Sequence, residues 1–179
     1  WGDVARAAIE RLEVDRSDAV ARGTLGEAWE ALGTQCPEEV SAGYERLLAP
    51  RAPALPIRTE RLTLRFLTES DLGDLFGMYR SPENVRYLLT EPHDEARSAA
   101  RIAEVRQPIS TPERYRLVLG IEYQERLVGE LTCILTPPAW SMAEVGWILH
   151  PDFSGQGLAT EAARALVDLA FTHFGVHRV

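Results

Sequence analysis

The chain of 179 residues contains no lysine, so arginine supplies all 19 of its basic residues. We attribute this bias to base composition and not to function. Because a nucleotide-binding P-loop needs a lysine for its phosphate contacts, the absence of lysine excludes that motif. Cysteine is also scarce: Cys36 and Cys133 lie about a hundred residues apart, which fits neither a metal site nor a disulfide framework. Cys133 lies in an apolar run and is predicted to be a buried small side chain.

Long hydrophobic runs are missing as well. No segment approaches the roughly 20 apolar residues that span a bilayer, and the start, Trp1-Gly2-Asp3, has no signal-peptide pattern. We therefore expect a cytoplasmic protein. Acidic residues outnumber basic ones by 27 to 19, a net charge of −8, and no basic block occurs. Nucleic acid and anionic membranes are thus poor partners, whereas an acidic surface suits a cationic ligand such as an amine.

Composition and patterning predict a globular chain with three parts. About 45% of residues are apolar and 26% charged, which excludes wholesale disorder. Residues 1–49 show apolar residues at helical spacing, with a cap predicted at Ser17-Asp18 and a stop at Gly33. Residues 50–56 contain three prolines, Pro50, Pro53 and Pro56, and are predicted to form a stiff linker. Residues 57–179 are predicted to form the main domain.

The main domain is predicted to be α/β, with a mixed, mostly antiparallel sheet flanked by helices. Strands are expected around residues 62–66, 117–121, 127–135 and 143–149, with a turn at Gln124-Glu125 and a strand end at Pro137-Pro138. Helices are expected from Thr68 to Tyr79, from His93 to Arg106 and from Leu158 to His173. Gly175 is predicted to end the last helix. A strand beginning at Val176 would then lie parallel to the strand before that helix.

Residues 154–160, which we call the glycine loop, carry the clearest chemical signal. A predicted strand leads through Gly155 and Gly157 directly into a helix. The first N–H groups of a helix lack internal partners and carry a partial positive charge, so such a loop can bind a phosphate or pyrophosphate. Thr160 could add a hydroxyl contact. The two glycines are equally compatible with a tight strand-to-helix turn that binds nothing, and a dinucleotide fingerprint is excluded because Thr160 stands where a third glycine is required.

A family resemblance extends over about residues 55–179. The segment "AEVGWILHPDFSGQGLATEAARALVDLAFTHFGVHRV" resembles the acetyl-CoA-binding core of the GNAT N-acetyltransferase superfamily. The opening "IRTERLTLRFLTESDLGDLFGMYRSPENVRYL" and the segment "ERLVGELTC" are similar to the RimJ/RimL branch, which acts on ribosomal-protein N-termini. The family motif [QR]-x-x-G-x-[GA] falls on residues 154–159, with Ser154 in place of the first Gln or Arg.

The resemblance implies a GNAT fold and a function, an acetyl-CoA-dependent transfer of acetyl to a primary amine by direct attack on the thioester. The acceptor would be a protein N-terminus or a small-molecule amine. No metal is expected. Main-chain groups of the strand end would pair with the pantetheine arm, as in β-augmentation, and amides of the glycine loop would hold the diphosphate. The implied cofactor-binding residues are Ile148, Leu149, His150, Ser154, Gly155, Gln156, Gly157, Leu158, Ala159 and Thr160.

The attack needs a group that removes a proton from the amine and an N–H donor for the oxyanion, expected near Ile148. Glu144 is the predicted catalytic base, with a solvated strand residue as the alternative interpretation, and Glu130 is a second candidate. His150 beside Pro151 is predicted to be a structural contact. Trp147 could line the acetyl pocket, although core packing is expected.

Two other functions stay open at this stage. The chain could be a catalytically inactive CoA-binding or regulatory module on the same scaffold. Residues 1–49 could dock a partner or sister subunit through an apolar face of Leu12, Trp29, Tyr44 and Leu47, with packing of this face on the main domain as the alternative. The family fold also implies a further helix and two strands after Val179. The main domain would then be incomplete at its C-terminus, either because the chain is truncated or because a homodimer or a partner chain completes the sheet.

Overall fold

A computed structural model describes residues 1–15, 18–47, 50–88, 90–111, 114–136 and 142–179. The helices are α1 (Gly2–Val14), α2 (Ala19–Leu32), α3 (Glu38–Leu47), α4 (Leu72–Tyr79), α5 (Pro82–Val85), α6 (Glu95–Val105) and α7 (Leu158–Thr172). The strands are β1 (Ile57–Arg58), β2 (Thr63–Arg65), β3 (Ile109–Thr111), β4 (Arg114–Tyr123), β5 (Arg126–Thr136) and β6 (Met142–Leu149). None of the described helices is long and apolar enough to cross a membrane.

Helices α1–α3 pack against one another through their apolar faces. Asp18 caps α2 by accepting the Ala21 N–H at 2.9 Å, and Gly33 ends this helix with a φ of +50°. The rings of Trp29 and Tyr44 stack with centroids 4.3 Å apart. The predicted docking face is wrong, because its four members are buried inside this packing. These residues are Leu12, Trp29, Tyr44 and Leu47.

The buried residues of α1–α3 belong to the same hydrophobic cluster as one face of the sheet. The proline-rich segment that connects them is fixed at two points. Leu55 packs against this cluster, and the backbone carbonyl of Arg51 lies 3.0 Å from Nε2 of His173 at the end of α7. The division into a helical segment, a linker and a main domain stays a prediction.

The sheet is antiparallel in the order β1-β2-β4-β5-β6, and β3 pairs with the other end of β4. The long hairpin of β4 and β5 turns at Gln124 and Glu125, whose positive φ angles of +49° and +62° are typical of the two-residue turn that matches the right-handed twist of the strands. Beyond β6, Arg178 forms a parallel bridge with Met142. The predicted hairpin, and the parallel direction of the chain after α7, are confirmed.

Helices cover both faces of the sheet and give the mixed α/β architecture. On one face, α7 packs Leu158, Ala162 and Leu166 against the sheet. On the other face, α4 and α6 pack with Val118 and Ile148. Alternate residues of each strand therefore enter different cores, as the two-residue period of a strand requires.

The three helices predicted for the main domain are confirmed, and the capping box of Thr68 and Asp71 that begins the first of them is present. Gly175 has a φ of +67° after α7, as expected. The short elements β1, β3 and α5 were not predicted. The predicted cap at Ser17 and the predicted strand end at Pro137-Pro138 lie outside the described residues.

Candidate active site

The glycine loop connects β6 to α7 in a conformation that only glycine adopts easily. Gly155 and Gly157 have φ angles of +75° and +77°, a region that costs other residues about 1–2 kcal/mol. A Cβ at Gly155 would meet nothing within 4 Å, and one at Gly157 would meet only Arg61 Nη2 at 3.6 Å. The glycines are thus required by backbone conformation and not by a close neighbour within the described protein.

The main-chain amides of this loop are largely unoccupied. Ser154 N–H donates to the Pro151 carbonyl at 3.0 Å, and Glu161 N–H donates to the Gly157 carbonyl at 3.0 Å. Between them, the amides of residues 155–160 have no protein acceptor in the described ranges. Ser154, Gly155, Gln156 and Gly157 are exposed, so a solvent-borne anion can reach these N–H groups. Of the predicted loop ligands, only the Ser154 amide is already engaged.

Arg61, which lies between β1 and β2, contacts the glycine loop from the side. Its Nη1 donates to the Gln156 carbonyl at 3.0 Å, and its Nε donates to Glu161 Oε2 at 2.7 Å. The Arg61 backbone N–H and the Thr59 hydroxyl both donate to the other oxygen of Glu161, Oε1. Burial would raise the pKa of Glu161, but these hydrogen bonds outweigh it and lower that pKa. The loop therefore has a fixed cation beside its amides.

The outer edge of β6 presents a second set of main-chain groups. His150 N–H donates inward to the Val128 carbonyl at 2.7 Å, and Ala143 N–H donates outward to the Arg178 carbonyl at 2.9 Å. The register with β5 is unbroken along β6. The main-chain N–H and C=O groups therefore alternate in direction along the strand, and those of Trp147 and Leu149 point away from β5. This corrects the prediction that the main-chain groups of Ile148, Leu149 and His150 pair with the pantetheine arm. Those of Ile148 and His150 point towards β5, and the free edge presents those of Trp147 and Leu149 instead.

A cavity of about 230 Å³ lies on the other side of this strand end, between the sheet, α4 and α6. Its lining combines aromatic and apolar side chains with several polar ones. The lining residues are Tyr79, Leu88, Thr90, His93, Arg101, Glu130, Thr132, Gly146, Trp147 and Ile148. Since β6 borders both its own free edge and this cavity, a ligand on the edge would lie next to a ligand in the cavity.

Glu130 is the buried charge in this cavity, with an exposed fraction of only 1%. Its Oε2 accepts hydrogen bonds from the Tyr79 hydroxyl and from Arg101 Nε, the latter at 3.2 Å. The Arg101 guanidinium also lies over the Tyr79 ring, 5.7 Å from its centroid. Glu130 Oε1 is buried and has no hydrogen-bond partner among the described residues. A buried polar atom without a partner is costly, so Oε1 is a good acceptor for a donor from a ligand.

Tyr79 and His93 stack with ring centroids 4.4 Å apart. Burial, and then the charge of Glu130, raises the pKa of Tyr79 beyond its usual range, so its hydroxyl remains a donor. Burial lowers the pKa of His93, and the charges of Arg97 and Arg101 lower it further. The charged groups of the cavity are thus the ion-paired Glu130 and Arg101, beside a neutral imidazole.

The remaining sequence-predicted residues have different positions. Glu144 is exposed, pairs with Ile134 across the strands and does not line the cavity, so the structure does not bring it together with the other site residues. Trp147 lines the cavity and is 52% exposed, so the expected core packing is wrong. His150 Nδ1 accepts the Asp152 N–H at 3.3 Å, a structural contact in the turn before the loop.

Sequence reasoning did not find Tyr79, His93 and Arg101. They lie on two helices and a loop, and only tertiary packing brings them to Glu130. One signal was available: Glu130 is an acidic residue within the otherwise apolar or neutral run of β5, at a position where the strand pattern predicts burial. A charge in such a position needs a buried partner.

Comparison with known proteins places the chain in a known class of enzyme. The chain belongs to the GNAT acetyltransferase family, since residues 61–179 match the model of the acetyltransferase (GNAT) domain, and it is an N-acetyltransferase. The fold class and the transferase activity predicted from the sequence are therefore confirmed.

Individual relatives agree with this assignment. The N-acetyltransferase p20 of Bacillus licheniformis, itself uncharacterized, is 25% identical over 122 residues, which are 68% of each chain. A provisionally assigned ribosomal-protein-serine acetyltransferase from Vibrio cholerae has a similar fold, with a TM-score of 0.55, 19% identity, and coverage of 70% of this chain and 72% of that one. The microcin C7 self-immunity acetyltransferase MccE, solved with acetyl-CoA and AMP, has a TM-score of 0.50, 18% identity and 66% coverage of both chains. GNAT acetyltransferases use acetyl-CoA as the acetyl donor.

Proposed function

We propose that this chain binds acetyl-CoA along the glycine loop and the free edge of β6, and transfers the acetyl group to a primary amine in the adjacent cavity. The observation that carries the proposal is the run of unoccupied amides at residues 155–160, at the amino end of the 15-residue helix α7. Backbone donors and the helix dipole together favour a diphosphate there. Arg61 adds a positive charge beside Gln156.

The rest of the donor would follow β6 towards the cavity. The outward main-chain groups of Trp147 and Leu149 are suited to pair with the amides of the pantetheine arm in the manner of an added strand. An N–H on this edge can also donate to the oxyanion that forms when the thioester carbon is attacked. Among the described residues, the Trp147 groups and the Leu149 N–H have no partner on that edge, whereas the Leu149 carbonyl accepts a hydrogen bond from Asn84 Nδ2 at 3.4 Å.

The reaction transfers protons as well as the acetyl group, and the cavity contains a group that can accept one. The amine nitrogen forms a bond to the thioester carbon, the carbon–sulfur bond breaks, and the sulfur leaves as a thiolate that gains a proton. The ammonium must lose one proton before attack and the nitrogen another after it. We assign one of these transfers to Glu130, because its Oε1 lacks a partner and its carboxylate lines the cavity. Glu144 stays a predicted base, but its exposed position outside the cavity makes it the weaker candidate.

For the acceptor, we propose a protein α-amine or a small-molecule amine. Similarity to the RimJ/RimL branch, and the fold shared with the Vibrio cholerae protein, favour the first. The cavity volume of about 230 Å³ favours a small acceptor or the first residue of a chain, since pockets for drug-sized ligands begin near 300 Å³.

Two measurements on the same sample test the proposal. Calorimetry with acetyl-CoA should show binding that pantetheine, which lacks the diphosphate, reproduces only weakly. A thiol-release assay with acetyl-CoA and a panel of amines should then show acceptor-dependent turnover. Binding without turnover for any amine would support the inactive-module alternative, and no binding at saturating acetyl-CoA would refute both functions.

A further inference from the structure

The cavity contains an ion pair whose two members both retain unused bonding capacity. Arg101 donates through Nε to Glu130 Oε2, but its two terminal amino groups reach no carboxylate or carbonyl acceptor among the described residues. Glu130 Oε1 also lacks a partner, although it is buried. The opposite charges are adjacent, with the bonded atoms 3.2 Å apart. Arg101 can therefore donate to a second acceptor, and Glu130 can accept from a second donor, without breaking the bond between them.

The other polar groups of the cavity do not change this charge balance. His93 is neutral at physiological pH, because burial and two nearby guanidiniums lower its pKa. Thr90 and Thr132 are uncharged, and the Tyr79 hydroxyl is already committed to Glu130. A polyamine or an aminoglycoside would bring several positive charges to a lining whose net charge is zero, and Arg101 would repel them.

From this arrangement we infer that the cavity selects a zwitterionic acceptor of amino-acid size, in which a carboxylate lies within two or three bonds of the amine. The ammonium would contact Glu130 Oε1, and the carboxylate would contact the terminal amino groups of Arg101. Adjacent opposite charges in the lining match adjacent opposite charges in the ligand. The inference rests on the proposed function, and of its two acceptors it selects the small-molecule amine over a protein α-amine, because the carboxyl group next to a protein α-amine is tied up in a peptide bond.

The volume and the stacked rings support the same class. A cavity of about 230 Å³ can hold a free amino acid, and its partly apolar lining leaves room for a side chain beside Leu88 and Ile148. The stack of Tyr79 and His93 fixes the Tyr79 hydroxyl that orients Glu130. Arg101 is held by α6 and by its contact with the Tyr79 ring, so neither charge needs to move far to meet a ligand.

The test compares pairs of acceptors that differ only in the acidic group. Thiol release is measured for a panel of free amino acids, including an ω-amino acid, and for the carboxamide of each. We expect kcat/KM for at least one acid to exceed that of its carboxamide by about tenfold or more, the ratio typical of one charge-assisted hydrogen bond. Equal values throughout, faster turnover of every carboxamide, or no turnover and no binding of any acid to the CoA-bound protein would overturn the inference.

Variants locate the effect in the cavity. Arg101→Gln should lower the ratio of kcat/KM for the preferred acid to kcat/KM for its carboxamide about tenfold, so the preference disappears. Arg106→Gln is the matched control, because Arg106 ends the same helix and pairs only with exposed Glu69 in the described structure. If Arg101→Gln fails to fold because Glu130 loses its counter-charge, Arg101→Lys keeps the charge but loses the planar fork and should reduce the preference partially. An unchanged preference in either folded variant contradicts the inference.

The acetyl-CoA measurement separates this inference from the proposed function. Every variant and the parent protein are first titrated with acetyl-CoA. If the parent protein does not bind acetyl-CoA, the proposed function is wrong. Normal binding, with turnover of amines that lack an acid and no preference for acids, means that only the substrate class is wrong.

Discussion

Replacing Gly157 by valine should abolish tight acetyl-CoA binding while the fold survives. Gly157 has a φ of +77°, and a Cβ there would meet only the end of the Arg61 side chain at 3.6 Å. A Cβ therefore has room at this position, and the main cost to folding is the backbone strain of about 1–2 kcal/mol. A valine relieves that strain when its backbone leaves the left-handed region. The neighbouring amides then no longer point towards one bound phosphate group.

The loss of affinity can be estimated from the hydrogen bonds involved. Each hydrogen bond to a charged group contributes about 1.5–3 kcal/mol, so losing two amide–phosphate contacts costs about 3–6 kcal/mol. Since about 1.4 kcal/mol corresponds to tenfold, Kd should rise by roughly 100-fold or more. Calorimetry with acetyl-CoA measures this directly.

Gly175→Val is the matched control for this prediction. Gly175 also has a positive φ, +67°, and open space around its Cβ position, but it lies at the opposite end of α7. The two variants should lose similar thermal stability, whereas only Gly157→Val should lose affinity. An unchanged Kd in Gly157→Val, or an equal loss of affinity in both variants, would refute the role of the loop amides.

Three further predictions concern the surroundings of the site. Arg61→Gln removes the cation and the hydrogen bond to the loop carbonyl and should weaken acetyl-CoA binding by about tenfold, whereas Arg58→Gln on β1 should not. The ion pair with Arg65 and the hydrogen bonds from Thr68 outweigh burial and lower the pKa of Asp71; stability is therefore present above the ordinary carboxyl pKa and is lost as pH falls towards the lowered value, so urea unfolding of Asp71→Asn should depend less on acid pH. Trp29→Ala should destabilise the protein by about 3–5 kcal/mol and leave the Kd for acetyl-CoA unchanged.

Each of these predictions has a clear contrary outcome. Equal affinities of the two arginine variants would remove Arg61 from the site. An acid unfolding profile of Asp71→Asn parallel to that of the parent protein would show that this carboxylate contributes no pH dependence. A large change in acetyl-CoA affinity with Trp29→Ala would mean that α1–α3 shape the site as well as the core.

The longer elements of the fold could be predicted from the sequence because their patterns are strong. The β4–β5 hairpin has apolar runs on either side of a two-residue turn, and α7 has a full apolar stripe between two glycines. The elements β1, β3 and α5 contain only two to four residues, too few for any period to be recognised. Strand β1 is placed by pairing with β2, β3 by pairing with β4, and α5 by packing on α4, none of which the local sequence encodes.

The site divides in the same way. The glycine loop is local, so residues 154–160 could be identified from their own spacing and from the helix that follows. Which main-chain groups of β6 face outward depends on the register with β5, which is why the sequence-based prediction placed Ile148 and His150 on the edge together with Leu149 and left out Trp147. The cavity depends on packing between distant segments. The apolar neighbours of Glu130 in β5 indicate its burial, but the sequence does not show that Tyr79 and Arg101 meet it, so it ranks there behind Glu144.

The most direct test of the account is to follow the backbone amides of residues 155–160 by nuclear magnetic resonance during a titration. The ¹⁵N-labelled protein is titrated with CoA and, separately, with pantetheine. We predict large shifts of the Gly155, Gly157 and Leu158 amides with CoA and only small ones with pantetheine, because the diphosphate is the group they bind. Saturation by CoA without movement of these amides, or identical shifts with both ligands, would contradict the account.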